Sequence, residues 1–284
     1  MGKPLRSSRP ADRLLGTANG QRTEGGQHDL LIERTVLDQQ MARSRSADPQ
    51  TWGVLPWLGP VLISVTVIVV GQLVGRAVAR NGRVPVGLGI GMTVAAEGLM
   101  LVALLAFGHR IAARGGGWRT ALGLDRIRAS DWAPWALGLA FVYAGRTAVG
   151  IVADVLTDGR ATSQASNLHL TRPTPLEVLG VALAVVVLAP ITEELMFRGL
   201  LLRSFLRRLS FWPAALLSTA LFGTFHVYEV HTVLGAVTLA VSVAVLGLGN
   251  CYLVRITGRL VPGIMVHAAF NAAALAIAVV LAYR

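Results

Sequence analysis

Cysteine and lysine are nearly missing from this chain. Its one cysteine, Cys251, excludes an intrachain disulfide and a cysteine-based zinc cluster, and is expected to pack as a small apolar residue. Lys3 is its one lysine, so the formal charge of +11 comes almost entirely from arginine. Charge of either sign is scarce, at 14% of residues against 54% hydrophobic, a balance that soluble domains of this length seldom show. No apolar run follows the basic N-terminus at the distance a signal peptide needs. The apolar stretches lack the strict alternation of outer-membrane barrel strands, which leaves helices. The arginines lack a clustered aromatic or base-reading motif, which argues against nucleic acid as a partner. They flank apolar windows instead, as expected where cytoplasmic loops retain basic residues.

What the chain does have is a series of windows long enough to cross a bilayer core of ~30 Å. The expected fold is an all-α, polytopic transmembrane bundle of about seven or eight spans. Seven are readable, at about Pro56–Ala79, Val86–Phe107, Trp132–Val155, Leu176–Arg203, Trp212–Val227, Val233–Val254 and Leu260–Ala282. Three regions result: a disordered polar tail over 1–52 with a short helix near Leu30–Met41, N-terminal spans over 53–170, and a core over 171–284. Gly71 with Gly75 and Gly87 with Gly91 have the small-xxx-small spacing of close helix contacts. Trp132 and Trp135 are placed as interfacial anchors. The Gly115–Gly117 triplet in the basic 109–131 loop lacks the Lys-Ser/Thr of a phosphate-binding loop. A cytoplasmic tail puts that loop, the Arg203–Arg208 cluster, Arg255 and Arg259 inside. Arg76, Arg80 and Arg83 then fall outside, so either the first loop is an exception or an early segment is miscounted.

Charge at membrane depth demands a reason. The stretch Pro190-Ile-Thr-Glu193-Glu194-Leu-Met-Phe-Arg198-Gly199 places two glutamates and an arginine after a long apolar run. Glu194 and Arg198 stand at i,i+4 with the acid first, the favourable order, and read as a structural pair. Glu193 lies ~100° round the helix and is left to face a small wet cavity as a general base for water. The alternative is that both acids emerge at the interface, but Leu195, Met196, Phe197 and Leu200–Leu202 continue the apolar character beyond them. Pro190, with no amide hydrogen, is expected to kink or start this helix.

Two further segments bring polar groups into apolar windows. Phe222 and His226 share a helical face, as do His267 and Asn271, and each pair alone could be a hydrogen-bonded packing feature. Three helices each bringing such groups make one shared site the economical account. The string from His226 through Glu229 to His231 contains zinc-protease letters in the wrong order, and histidines at i,i+5 point ~140° apart on a helix. His231 and Glu229 read as loop residues.

Glu193-Glu194-x-x-x-Arg198, Phe222-x-x-x-His226 and His267-x-x-x-Asn271 together resemble the three ordered motifs of the CPBP intramembrane proteases. That family takes in Rce1-type CAAX prenyl endopeptidases and bacteriocin-processing or immunity proteins. The likeness covers about 170–284 in detail. It implies an endopeptidase in which Glu193 and His226 activate water while His267 and Asn271 hold the oxyanion, supported by Glu194, Arg198 and Phe222. The family's metalloprotease label leaves one divalent metal, zinc by donor type, open on Glu193, His226 and His267. The implied setting is a multi-pass protein of the plasma membrane with its tail in the cytoplasm. The bilayer and a membrane-associated peptide or protein are its expected partners. Two other readings compete: a transporter or proton relay using the same groups, though no internal repeat is visible, and a noncatalytic immunity-type protein.

Overall fold

The computed structural model describes residues 58–79, 84–112, 123–124, 126–164, 170–227, 230 and 232–284. The expectations for the polar tail, for Arg80 and Arg83, for the glycine triplet, and for Glu229 and His231 lie outside the described residues. Among the described residues the secondary structure is helical, in eight helices: α1 Leu58–Val78, α2 Val86–Ala112, α3 Trp132–Thr157, the short α4 Arg160–Gln164, α5 from Pro175 to Phe205, α6 Phe211–Thr224, α7 Val233–Thr257 and α8 Val261–Ala282.

Six of these, α1, α2, α3, α5, α7 and α8, are long and apolar enough to cross a membrane. The protein is thus a multi-pass helical bundle. The expected span at Trp212–Val227 differs: α6 has 14 residues, a rise of ~21 Å that falls short of a ~30 Å core. It runs antiparallel to α7. The Arg255 guanidinium lies 4.5 Å from the centre of the Phe211 ring at one end. At the other, a Cβ on Gly223 would come within 3.0 Å of the Ala240 carbonyl. Half of α7's apolar window is buried, against 6% for α1, so α7 is an interior stave and α1 a peripheral one. Outward side chains such as Leu62, Leu137, Leu156, Leu176 and Ile277 are exposed, as lipid-facing positions must be where hydrocarbon replaces water.

One end of the bundle gathers the basic residues. Arg259 pairs with Asp131 at the start of α3 and donates to the Arg126 carbonyl, and Arg203 at the end of α5 donates to the Gly258 carbonyl at 3.1 Å. The opposite end brings Tyr283 to the Pro173 carbonyl. Gly180 of α5 meets Ile90 of α2, and Gly59 of α1 meets Phe107 of α2. The α1–α2 hairpin is therefore antiparallel, with Arg76 at the end away from the basic cluster. Leu58–Val78 and Val86–Ala112 are each one uninterrupted helix.

The glycine pairs do not act as expected. A Cβ added at Gly71, Gly87 or Gly91 would meet nothing within 4 Å, so these are not close-contact positions. Tight approaches occur instead at positions such as Gly59, Gly138, Gly145, Gly180, Gly223 and Gly247. Spacing marks a face but not whether another helix covers it. Trp132 is exposed as an interfacial ring should be, whereas Trp135 ties α3 to α8 by donating from its indole to the Met265 carbonyl at 3.2 Å.

α5 positions the site. Thr174 and Glu177 form a capping box around Pro175 at its first turn, so the helix starts well before Pro190. Within it, Leu183–Leu188 and Leu195–Leu202 are π-helical, with α-helical Ala189–Glu194 between them. Pro190 sits just past the first wide turn, where its missing amide is absorbed without ending the helix. The second wide turn is wholly buried, and it carries Leu195, Phe197 and Leu200–Leu202 into the main apolar cluster with Phe222, Leu246 and Val266.

Candidate active site

Glu194 is the hub. It is 0% exposed, as is Arg198, and its Oε1 accepts three hydrogen bonds: from Arg198 Nη1 at 3.0 Å, Asn250 Nδ2 at 2.8 Å and His267 Nδ1 at 3.1 Å. A buried carboxylate is tolerable only with such partners. The Arg198 guanidinium lies 4.5 Å from the centre of the Phe222 ring, which gives the cation a second, π-type partner. Phe222 in turn packs edge-on against Phe197, His226 and His267, with centroids 5.1, 4.7 and 5.9 Å away. The i,i+4 pair read from the sequence is thus real and interior, and it fixes α5, α6, α7 and α8 around one point.

Glu193 projects away from that hub. Its Oε2 is 3.6 Å from His267 Nε2 and 3.9 Å from His226 Nε2. The tautomers follow from the other ring nitrogens. His226 Nδ1 stands 2.8 Å from the Phe222 carbonyl oxygen, which can only accept, so Nδ1 carries the hydrogen. His267 Nδ1 faces the shared Glu194 oxygen and carries one for the same reason. In the neutral rings both Nε2 lone pairs therefore turn toward Glu193. α6 ends at Thr224, so His226 lies in the turn after the helix, and its bond to Phe222 ties that turn to the helix's final carbonyls.

Asn271 is placed differently. Its amide donates to the Val185 carbonyl at 2.7 Å, in the first wide turn of α5. Ser218 likewise donates to the Phe197 carbonyl at 2.9 Å in the second. Both π-helical segments thus supply a carbonyl to a donor on another helix.

Two polar residues of this region carry no motif spacing. Asn250, fully buried in α7, bridges Glu194 to the Gly263 carbonyl, the latter at 3.2 Å. Glu97 of α2 lines a cavity of about 340 Å³ with Glu193, Thr192 and His226. Each is the single acid or amide of its apolar span, and that cost is the signal that could have found it.

Glu193, His226 and His267 are the donor types a divalent metal takes. Among the described residues, however, no group of three His, Cys, Asp or Glu side chains is arranged to hold one. The chemistry fits a metal and the arrangement does not, so no step below runs through one.

Fold and site together define a multi-pass membrane protein that keeps carboxylates and imidazoles in contact below its apolar surface. Residues 175–273 match the family model described as type II CAAX prenyl endopeptidase Rce1-like. This C-terminal segment is thus similar to the type II CAAX endopeptidases, and it contains all three motifs and Asn250. No curated protein and no solved structure matches the chain.

Proposed function

We propose that the protein is an intramembrane endopeptidase that hydrolyses peptide bonds of membrane-associated substrates with a Glu193-activated water. The observation that carries this is the convergence of a carboxylate oxygen and two imidazole Nε2 atoms within 3.6 and 3.9 Å, beside a cavity that Glu193 and His226 line. In that reading a water between Glu193 and His226 gives its proton to Glu193 as its oxygen attacks the peptide carbonyl. The C–N bond then breaks and the proton passes to the leaving amine. General-base help of this kind contributes ~10²–10⁴-fold.

His267 stands on the far side of the same point, and with a proton on Nε2 it donates to the tetrahedral oxygen. Asn271 joins it: an amide nitrogen carries two hydrogens, so the one given to Val185 leaves another for an oxyanion. The Glu194–Arg198–Asn250 set positions His267 and does not touch substrate. The family description supplies the substrate class to try first, a prenylated C-terminal peptide. The basic end of the bundle is assigned to the cytoplasm of the plasma membrane.

The test is cleavage of a membrane-bound reporter by Glu193→Gln and His226→Ala proteins expressed at wild-type level. Loss of about 10²-fold or more in rate is expected for each, and cleavage that persists in either refutes the assignment. Metal content and activity after chelation are measured on the same preparation. Activity retained without metal supports carboxylate-activated water, and activity lost on chelation and restored by zinc refutes it.

A further inference from the structure

α3 and α8 lie side by side and run the same way, since Trp135 meets Met265, Gly138 meets Val266 and Arg146 meets Phe270. Arg146 is the one basic residue of α3, ~21 Å of helix rise from its first residue and ~16 Å from its last. A cation at that depth is costly and marks a site of use. An arginine can lower the cost by reaching for the nearer face of the bilayer. Arg146 instead keeps its guanidinium 4.5 Å from the centre of the Phe270 ring, and Phe270 lies ~14 Å into α8.

Among the described residues that ring is the cation's partner, and no carboxylate pairs with it. A ring face offsets only part of what a charge costs in hydrocarbon. Arg198, by contrast, has both Glu194 and the Phe222 ring. Arg146 can also be reached from the bilayer. It and Phe270 are partly exposed. Tyr143, one turn before Arg146, is 41% exposed, with its ring centroid 5.7 Å from that of Phe270. A guanidinium fork beside a phenol hydroxyl is a donor set that suits a carboxylate.

The depth narrows the choice of anion. Lipid phosphates lie outside a ~30 Å hydrocarbon core, so the group must be carried inward on an apolar chain. The end of an apolar peptide is such a group, and hydrolysing a peptide bond within the membrane creates one. Phe270 directly precedes Asn271 and lies one turn after His267, which puts the cation near the proposed chemistry.

We propose that Arg146, seated on Phe270 beside Tyr143, binds the terminal carboxylate of an apolar peptide that approaches from the bilayer between α3 and α8. This rests on the hydrolase reading above. The guanidinium supplies the charge-assisted contact, and the exposed apolar faces of the two helices take the peptide's side chains.

The experiment uses the full chain in nanodiscs of zwitterionic lipid and a fluorescent apolar peptide made as the free acid and as the C-terminal amide. Binding is read by anisotropy. The acid is expected to bind about tenfold tighter than the amide, the worth of one charge-assisted contact. Arg146→Met should bring that ratio to about one, and Arg146→Lys should keep most of it. A purely structural Arg146 would shift both affinities together and leave the ratio intact. Equal wild-type affinities, or a ratio that survives Arg146→Met, overturn the proposal. Should that variant not fold, the wild-type protein decides: a photoreactive group beside the peptide's C-terminus should label residues 139–150 or 266–274, and labelling elsewhere overturns the assignment. Oleate should compete at least tenfold more weakly than the acid peptide; equal competition makes this a fatty-acid site and overturns the peptide. The Glu193→Gln protein runs in parallel. Cleavage by that protein would refute the hydrolase reading without touching the acid-to-amide ratio on which Arg146 is judged.

Discussion

Removing Glu194 should damage the protein far more than removing its neighbour. Glu194→Ala leaves the Arg198 guanidinium, now 0% exposed, without its carboxylate, and breaking a buried pair from one side costs ~3–5 kcal/mol. His267 Nδ1 also loses its acceptor, at ~1–3 kcal/mol for an unsatisfied buried donor. The two penalties overlap because both groups share one oxygen, so a total of ~4–5 kcal/mol is expected, a thousandfold or more in the folded-to-unfolded ratio. Glu193, which lines the cavity and is 20% exposed, should cost under ~1 kcal/mol as Glu193→Ala. The assay is reversible unfolding in mixed lipid–detergent micelles, with helicity as the readout. The decisive variant is Glu194→Ala combined with Arg198→Met. With both charges gone the stranded cation disappears, and a buried pair replaced by apolar groups is often close to neutral. Recovery of ~2 kcal/mol or more over Glu194→Ala alone is expected. Strict additivity, or equal losses for Glu193→Ala and Glu194→Ala, would refute the hub.

Two other outcomes can be measured in the same system. Asn250→Leu removes donors to Glu194 and to the Gly263 carbonyl and should cost ~2–3 kcal/mol, with hydrolysis lowered through a displaced His267; unchanged stability would contradict the bridge. Gly247→Ala puts a Cβ 3.0 Å from Thr219, 3.1 Å from Arg198 and 3.2 Å from Phe222, an overpacking worth ~1–3 kcal/mol, whereas Gly71→Ala, open on all sides, should leave stability unchanged. Equal effects of the two alanines would refute the packing described for α7.

How much could be read before the fold was known depends on what each residue requires. Glu194 and Arg198 declared themselves because their helical spacing and their burial cost point the same way. Phe222, His226 and His267 came from spacing on separate helices. Asn250 and Glu97 did not, because a single polar residue has no internal spacing to read, and only its partner on a distant helix gives it meaning. The π-helical segments were equally silent. Leu183–Leu188 and Leu195–Leu202 are apolar runs compatible with an ordinary helix, and their wide turns go with contacts made elsewhere, by Asn271 at Val185 and Ser218 at Phe197. The glycine pairs erred in the opposite direction, since spacing suggested a contact that no neighbouring helix supplies.

The two wide turns make the segment lengths in α5 matter more than their composition. Each α-helical residue turns the chain by ~100°, so dropping one residue from the α-helical stretch between the wide turns, ahead of Glu193, with both wide turns kept, would swing both carboxylates about a quarter-turn. Glu194 would leave the reach of Asn250 and His267, and Glu193 would leave the cavity, with every side chain in both motifs still present. A leucine exchanged for a valine in the same stretch would move neither. Counting residues from Val185 to Glu193 and from Glu194 to Arg203 is therefore a sharper criterion than motif identity for deciding which similar chains keep a working site.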